Sequence, residues 1–358
     1  MSDPIATGRP AATGDPGRRA GQPAPSPAPE AGISASTPPS TEPPPETKRT
    51  VVQRGDRIFS GLATGSGAFV VVLIGAIGLF LLLQAIPALI HNHANFLTSR
   101  EFATDDPNAL RFGILELLQV TVEVSVYALV LAMPVGLGIA LFLTQYAPAR
   151  VARPLAYLVD LLAAVPSIIF GLWGILVLAP VIRPVALWLN AHFGWIWLFA
   201  HGNVGPELGS NLFTAGIVLA AMLLPIITAI TREVFSRTPT AQIEGALALG
   251  ATKWEVIQTT VLPFGRAGYV SASMLGLGRA LGETIALTVI LSASNQAFGG
   301  SLFDGGATFA SKIALSFAEL NNALSAGAYI AAGLVLFLLT FAVNALARWI
   351  VNRGVPQA

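Results

Sequence analysis

Cysteine is absent from the 358 residues, which excludes disulfides, thiol catalysis and cysteine-based metal sites. Charge is scarce. Asp, Glu, Lys and Arg together make up 11% of the chain, against about 25% in a soluble globular protein. A net charge of +1 argues against nucleic acid or another polyanion as a partner. No Gly-x-x-x-x-Gly-Lys-Ser/Thr stretch occurs, so the chain lacks the phosphate-cradling loop and lysine needed to hydrolyse ATP itself. No apolar h-region follows Met1, which speaks against a signal peptide. His91 and His93 lie close together without a fixed third ligand, and read as solvated side chains and not a metal site.

Apolar runs dominate what is present. The chain is 54% hydrophobic with a mean hydropathy of +0.68, the composition of an all-α integral membrane protein. Residues 1–50 stand apart. They hold 12 of the 25 prolines and no aromatic residue, too little apolar surface to offset the entropy of ordering, and read as a disordered cytoplasmic tail. Lys48, Arg49, Arg54 and Arg57 form a basic collar behind it. A spanning helix needs about 20 apolar residues, and six runs qualify, at about 62–90, 117–146, 155–182, 211–231, 269–294 and 324–347. Pro134, Pro166 and Pro225 fall inside the second, third and fourth, either as kinks in packed helices or where a polar cavity satisfies the freed backbone. Arg183–Ser210 carries Trp188, Trp195 and Trp197 among polar residues and Gly, and reads as an interfacial helix or short hairpin with aromatic anchors. Ser301–Asn322 reads as a polar loop with a short amphipathic helix.

Six spans put both termini on one side. With the N-terminal collar go Arg150, Arg153, Arg232, Arg237, Lys253, Arg266, Arg348 and Arg353, giving 12 basic residues near span ends; the other side has only Arg100, Arg111, Arg183 and Lys312. The positive-inside rule therefore places both termini, and the loop 232–268, in the cytoplasm.

Against that background one stretch is expensive. Leu275–Ala286, reading LGLGRALGETIA, sets Arg279 and Glu283 inside the fifth run, with Arg279 the only Lys or Arg within the long apolar runs. A charge at the bilayer centre costs about 2.5–3.5 kcal/mol on insertion scales, and is by default a functional-site candidate. Arg279 lies ten residues into the run, about 15 Å at 1.5 Å per residue and so near the midplane. At i,i+4 the two side chains are expected to meet on one helix face and offset each other's desolvation, unless they serve only as a buried pair that fixes packing. Gly278 and Gly282 share the same spacing and read as a close helix contact. Arginine offers a planar, permanently charged fork matched to oxyanions, and a neighbouring carboxylate would compete for it and favour release. Glu123 and Asp160, nearer the interfaces, read as structural or solvated.

The cytoplasmic loop has its own pattern. Helix formers fill Ala241–Leu249, Gly250 suits a helix C-terminus, Thr252 can cap a second helix over Lys253–Val261 with Glu255 near its positive end, and Pro263 is expected to stop that helix. This elbow, with Glu244, Gly245, Ala246, Gly250, Leu262 and Pro263, resembles the Glu-Ala-Ala loop of ABC importer permeases, departing at Gly245 and at Thr260. Pro166–Gly174 (PSIIFGLWG), Leu275–Thr284, Gly138–Tyr146 (GIALFLTQY) and Phe317-Ala318-Glu319 resemble the C-type permease of the bacterial phosphate-specific transport system. The resemblance covers about residues 54–353. It implies a type I (MetI-like) permease fold of six transmembrane helices in the cytoplasmic membrane, translocating inorganic phosphate past Arg279 and Glu283. It implies a second, A-type permease, a dimer of ATPase subunits that bind ATP and Mg and receive the elbow, and an extracytoplasmic phosphate-binding protein, with no cofactor in this chain itself. An importer of sulfate or molybdate, an ATP-independent carrier or channel, and a phosphate-sensing scaffold remain open on the residues alone.

Overall fold

The computed structural model describes residues 54–106, 109–292, 296–317 and 322–354. The expected tail at 1–50, Lys48, Arg49, Ala318 and Glu319 lie outside the described residues. The chain divides into two units, Met1–Gly61 and Leu62–Ala358; of the first, only the helical residues from Arg54 are described.

In chain order, α1 (Arg54–Ile90) leads to a two-stranded antiparallel ribbon, β1 (Phe102–Ala103) and β2 (Arg111–Phe112), and then to α2 (Leu115–Leu141). Next come α3 (Ala149–Leu162), α4 (Ser167–Trp173), α5 (Ala179–Phe193) and α6 (Leu212–Ser236). The elbow is α7 (Thr240–Ala248) and α8 (Lys253–Val256). It is followed by α9 (Leu262–Leu281), α10 (Ile285–Ile290), α11 (Phe309–Ser316) and α12 (Ala323–Gly354). Among the described residues, five helices are long and apolar enough to cross a membrane: Arg57–Ile90, Leu115–Tyr146, Ser167–Phe193, Leu212–Ser236 and Ala323–Trp349.

Three single π-helical turns, Phe142–Tyr146, Gly174–Leu178 and Ile257–Val261, each end two residues before a proline: Pro148, Pro180 and Pro263. A proline lacks an N–H and its ring collides with the carbonyl four residues back. The wider turn bonds the N–H just before the proline to a carbonyl five residues back, as Leu262 does to Ile257, and moves the obstructing carbonyl aside. Two expectations are corrected here. Pro263 does not stop the second elbow helix, which runs through the π turn into α9. The third apolar run is not one helix over 155–182. Pro166 breaks it, adopting an extended ψ of 138° as the residue that starts α4, so α3 is a separate amphipathic helix with no buried residue. The continuous helix instead runs on to Phe193, carrying Arg183, Pro184 and Trp188 inside it. The segment read as an interfacial helix or hairpin is thus half helix and half loop, with a single 3₁₀ turn at Trp197–Phe199.

The core is built on α6. Of its apolar window 67% is buried, against 6% for that of α1. Glycine makes the close approaches: a Cβ at Gly216 would collide with the Tyr127 ring of α2, and one at Gly136 would lie 3.0 Å from Ile227. On the other side α9 lies against α6 through Gly265, Gly268, Ala272 and Gly276, whose neighbours include Phe235, Val234 and Ile227. This stripe, and not Gly278 with Gly282, is the small-residue contact. A Cβ at Gly278 would lie at ordinary contact distance, 3.6 Å, from Asn344 of α12, and Gly282 caps α9.

Candidate functional site

Helix α9 stops at Leu281. The N–H groups of Gly282 and Glu283 bond back to Arg279 and Ala280, closing a tightened last turn, and Thr284 (φ −112°, ψ −64°) precedes α10. The expected fifth span is therefore discontinuous: α9, three residues, then the six residues of α10. Arg279 stands exposed in the last turn of α9. Glu283 is 8% exposed, and its Oε1 accepts a hydrogen bond from the Ala286 N–H at 3.3 Å, at the start of α10. The expected contact between them is corrected. The ion pairs among the described residues are Arg111–Glu101, Arg232–Asp160 and Arg237–Glu233, and Arg279 with Glu283 is not one. A four-residue spacing aligns side chains only along an unbroken helix, and this one breaks between them. Arg279 is left with its guanidinium available, and Glu283 is turned to backbone.

The break is held from behind. A Cβ at Gly171 of α4 would lie 3.0 Å from the Ala286 Cα, and one at Gly174 would lie 2.6 Å from Val218 and 3.0 Å from Ile290. The PSIIFGLWG stretch thus brings α4 against the backbone of α10. Ala286, Leu287 and Ile290 are fully buried there.

In the elbow, Glu244 and Gly245 are exposed on α7 and Ala246 is half-buried. Gly250 takes φ +87° with open space around a would-be Cβ, so glycine serves the left-handed turn itself. Leu249 is 91% exposed and Trp254 53%, an apolar tip on an otherwise polar loop. Leu262 and Pro263 sit where α9 begins. Thr252 and Glu255 form a reciprocal cap: Thr252 Oγ1 accepts from the Glu255 N–H at 3.3 Å, and Glu255 Oε2 accepts from the Thr252 N–H at 2.7 Å and from its hydroxyl at 2.8 Å. The backbone bond and then the hydroxyl bond hold the Glu255 carboxyl below its ordinary value. Its folded pKa being lowered, the stabilisation is complete above the ordinary carboxylate pKa and is lost as pH falls through the folded one. Thr252→Ala is expected to cost about 1 kcal/mol locally, seen as faster amide hydrogen exchange at Glu255, with the wild-type protection itself declining only in acid.

Several features escaped the sequence. Loops 198–213 and 298–306 are stitched together, and Ser301–Gly306, read as part of a polar loop, is buried. Asp304 Oδ2 accepts from the N–H groups of Gly299 and Ser301 at 2.8 and 2.9 Å, and its Oδ1 accepts from Asn203. Asn211 donates to the Gly205 carbonyl, and Arg100 donates to that of Phe298. The legible signal was glycine at 299, 300, 305 and 306 around one aspartate. Asp160 joins α3 to α6 through Arg232 at 3.4 Å. Glu123 lines a cavity of about 740 Å³ with Gln119, Tyr127 and Trp197.

Residues 132–354 match the family described as "Binding-protein-dependent transport system inner membrane component". The chain is 58% identical over 296 residues to the "Phosphate transport system permease protein PstC 2" of Mycobacterium tuberculosis, covering 83% of this chain and 91% of that one. It is 58% identical over 298 residues to the "Phosphate transport system permease protein PstC" of Mycobacterium leprae, covering 83% and 93%. A chain of the inward-facing MetNI methionine ABC transporter superposes with a TM-score of 0.48 at 16% identity, over 68% of this chain and 96% of that one.

Proposed function

The chain belongs to the family of binding-protein-dependent transport system inner membrane components, and from that premise we propose that it is the C-type permease subunit of an ATP-driven importer of inorganic phosphate. It is a multi-pass inner-membrane transport subunit and not an enzyme; hydrolysis belongs to a separate ATPase. The observation that carries the site is the broken helix. An arginine in the last turn of α9, with no carboxylate partner among the described residues, is followed across the break by a carboxylate held on the backbone of α10. Discontinuous helices are where membrane transporters concentrate substrate contacts, because the freed backbone must face protein or a polar cavity.

In this reading α9 and α10 together make the sixth crossing, both termini and the elbow are cytoplasmic, and residues 54–353 form the transmembrane domain. An A-type permease covers the face bearing Arg279, two ATPase copies with their ATP and Mg receive Leu249, Trp254 and Glu244, and a binding protein delivers phosphate to the outer loops. The second elbow helix, α8, is one helical piece with α9 through the π turn, which supports a mechanical link. A push on α8 is carried along α9 to Arg279. Arg279 takes the oxyanion by its fork, and Glu283, held by the Ala286 N–H, opposes prolonged binding.

Arginine alone does not separate tetrahedral anions, so oxyanion competition tests the substrate. Uptake of labelled phosphate by the reconstituted complex is expected to persist in a large excess of sulfate or molybdate and to vanish without ATP. Competition by sulfate equal to that by unlabelled phosphate would make this a permease for another oxyanion. Uptake without ATP would make it a carrier or channel.

A further inference from the structure

Along α9, Phe264, Ser271, Leu275 and Arg279 are all exposed. Their spacings of seven, four and four put them on one strip of the helix, at 3.6 residues per turn. The strip lies beside the contact with α6 made by Gly265, Gly268 and Gly276. The same contact fixes the register: Gly276 meets Ile227, and Gly265 meets Phe235, so α6 and α9 run antiparallel. The open face of α6 next to this strip carries Ile230, Glu233 and Arg237, and at that end the two helices enclose a cavity of about 510 Å³ lined by Ala229, Ile230, Glu233, Val234, Arg237 and Phe264. Further along, Leu219 on the same face of α6 is buried. The exposed strip of α9 therefore runs from Arg279 toward this cavity on the elbow side.

Arg237 stands at that end. From Phe264 to Arg279 is 15 residues of α9, about 22 Å at 1.5 Å per residue. Its guanidinium donates to Glu233 Oε1 through Nε at 3.0 Å and Nη2 at 2.7 Å, both nitrogens on one carboxylate oxygen. The pair is largely exposed, so as a stabilising salt bridge it contributes little. Its composition repeats that of the Arg279 site, an arginine with a glutamate four residues away in sequence.

We propose that Arg237 is a second oxyanion site, receiving the anion released from Arg279 at the inner mouth of the α6–α9 groove, with Glu233 displacing it into the cytoplasm. This rests on the reading of Arg279 as the translocation arginine. The ligand class is a tetrahedral oxyanion, inorganic phosphate in the transporter proposed above.

Because the chain has no cysteine, Arg237→Cys gives this subunit a single thiol, and the wild-type complex treated with the same reagents is the control for thiols on the other subunits. ATP-driven uptake of labelled inorganic phosphate into proteoliposomes is measured with Arg237→Cys, Arg237→Lys and Arg279→Cys side by side, together with ATP hydrolysis stimulated by the binding protein. Arg237→Cys is expected to lower uptake about tenfold, the loss of one charge-assisted contact, with stimulated hydrolysis retained; Arg237→Lys recovers most of the uptake. A thiol reagent adding an ammonium group restores uptake to Arg237→Cys, one adding a sulfonate does not, and phosphate but not chloride slows both reactions. Uptake equal to wild type in Arg237→Cys, or restoration by either sign of charge, overturns the proposal while leaving Arg279 in place. Loss of stimulated hydrolysis together with uptake, unrelieved by the ammonium reagent, also overturns it, assigning Arg237 to the coupling machinery. Full uptake in Arg279→Cys would bring down the translocation reading itself, whatever Arg237 does.

Discussion

Arg279→Ala is expected to lower ATP-driven phosphate uptake by about 100-fold or more, the consequence of removing the arginine's charge-assisted, two-pronged hold on the oxyanion. Poor insertion cannot account for such a loss, because the substitution removes a charge that costs the apolar segment about 2.5–3.5 kcal/mol. Co-purification with the second permease and the ATPase should therefore be at least as good as for wild type. Nor does the variant break an ion pair, since among the described residues Arg279 has none. Arg279→Lys separates charge from shape. The ammonium keeps the positive potential but loses the planar fork, and uptake about tenfold below wild type is expected from the lost second hydrogen bond. Wild-type uptake in both variants would leave Arg279 without a role in transport.

The way this site was legible, and the way it was not, follow from particular residues. An arginine among apolar residues is conspicuous in any sequence, because hydrocarbon offers it no solvation. Its relation to Glu283 was not, because i,i+4 logic presumes a continuous helix, and Leu275–Ala286 has no proline to announce the break. Gly282 is the signal in retrospect: it was read as a packing glycine and is the residue that caps the C-terminus of α9. The elbow was legible down to the cap at Thr252, since capping is local chemistry between residues three apart. The prolines misled in two ways. Pro263 was expected to end a helix that a π turn carries through, and Pro166 was placed inside a helix that it starts. The first error comes from weighing proline against the α-helix alone, when one inserted residue upstream relieves it; the second comes from overlooking that proline suits the start of a helix as well as an interior kink. The groove at Arg237 lay beyond any sequence reading, because it depends on the register of α6 against α9.

The PSIIFGLWG stretch supplies the other large effect. Gly171→Val is expected to lower uptake by about 10–100-fold through a residue that touches neither substrate nor ATPase. A Cβ there would stand 3.0 Å from the Ala286 Cα and 3.2 Å from its carbonyl oxygen, and backbone cannot swing aside as a flexible side chain does. Overpacking of this kind costs about 1–3 kcal/mol, and relief requires α10 to move away from α4. Ala286 is the residue whose N–H bonds the Glu283 carboxylate, so the displacement acts directly on the acid beside Arg279. Glycine at 171 is then required for close approach and not for backbone freedom, since it lies in regular helix. Gly138 of α2 is the matched control, with nothing within 4 Å of a would-be Cβ. Gly138→Ala should leave uptake near wild type, while Gly171→Ala already lowers it and Gly171→Val lowers it further. A graded loss at 171 with normal co-purification of the complex ties the α4–α10 contact to the position of Glu283. Equal uptake in the valine variant and wild type would mean that α10 is free to shift without consequence for the anion.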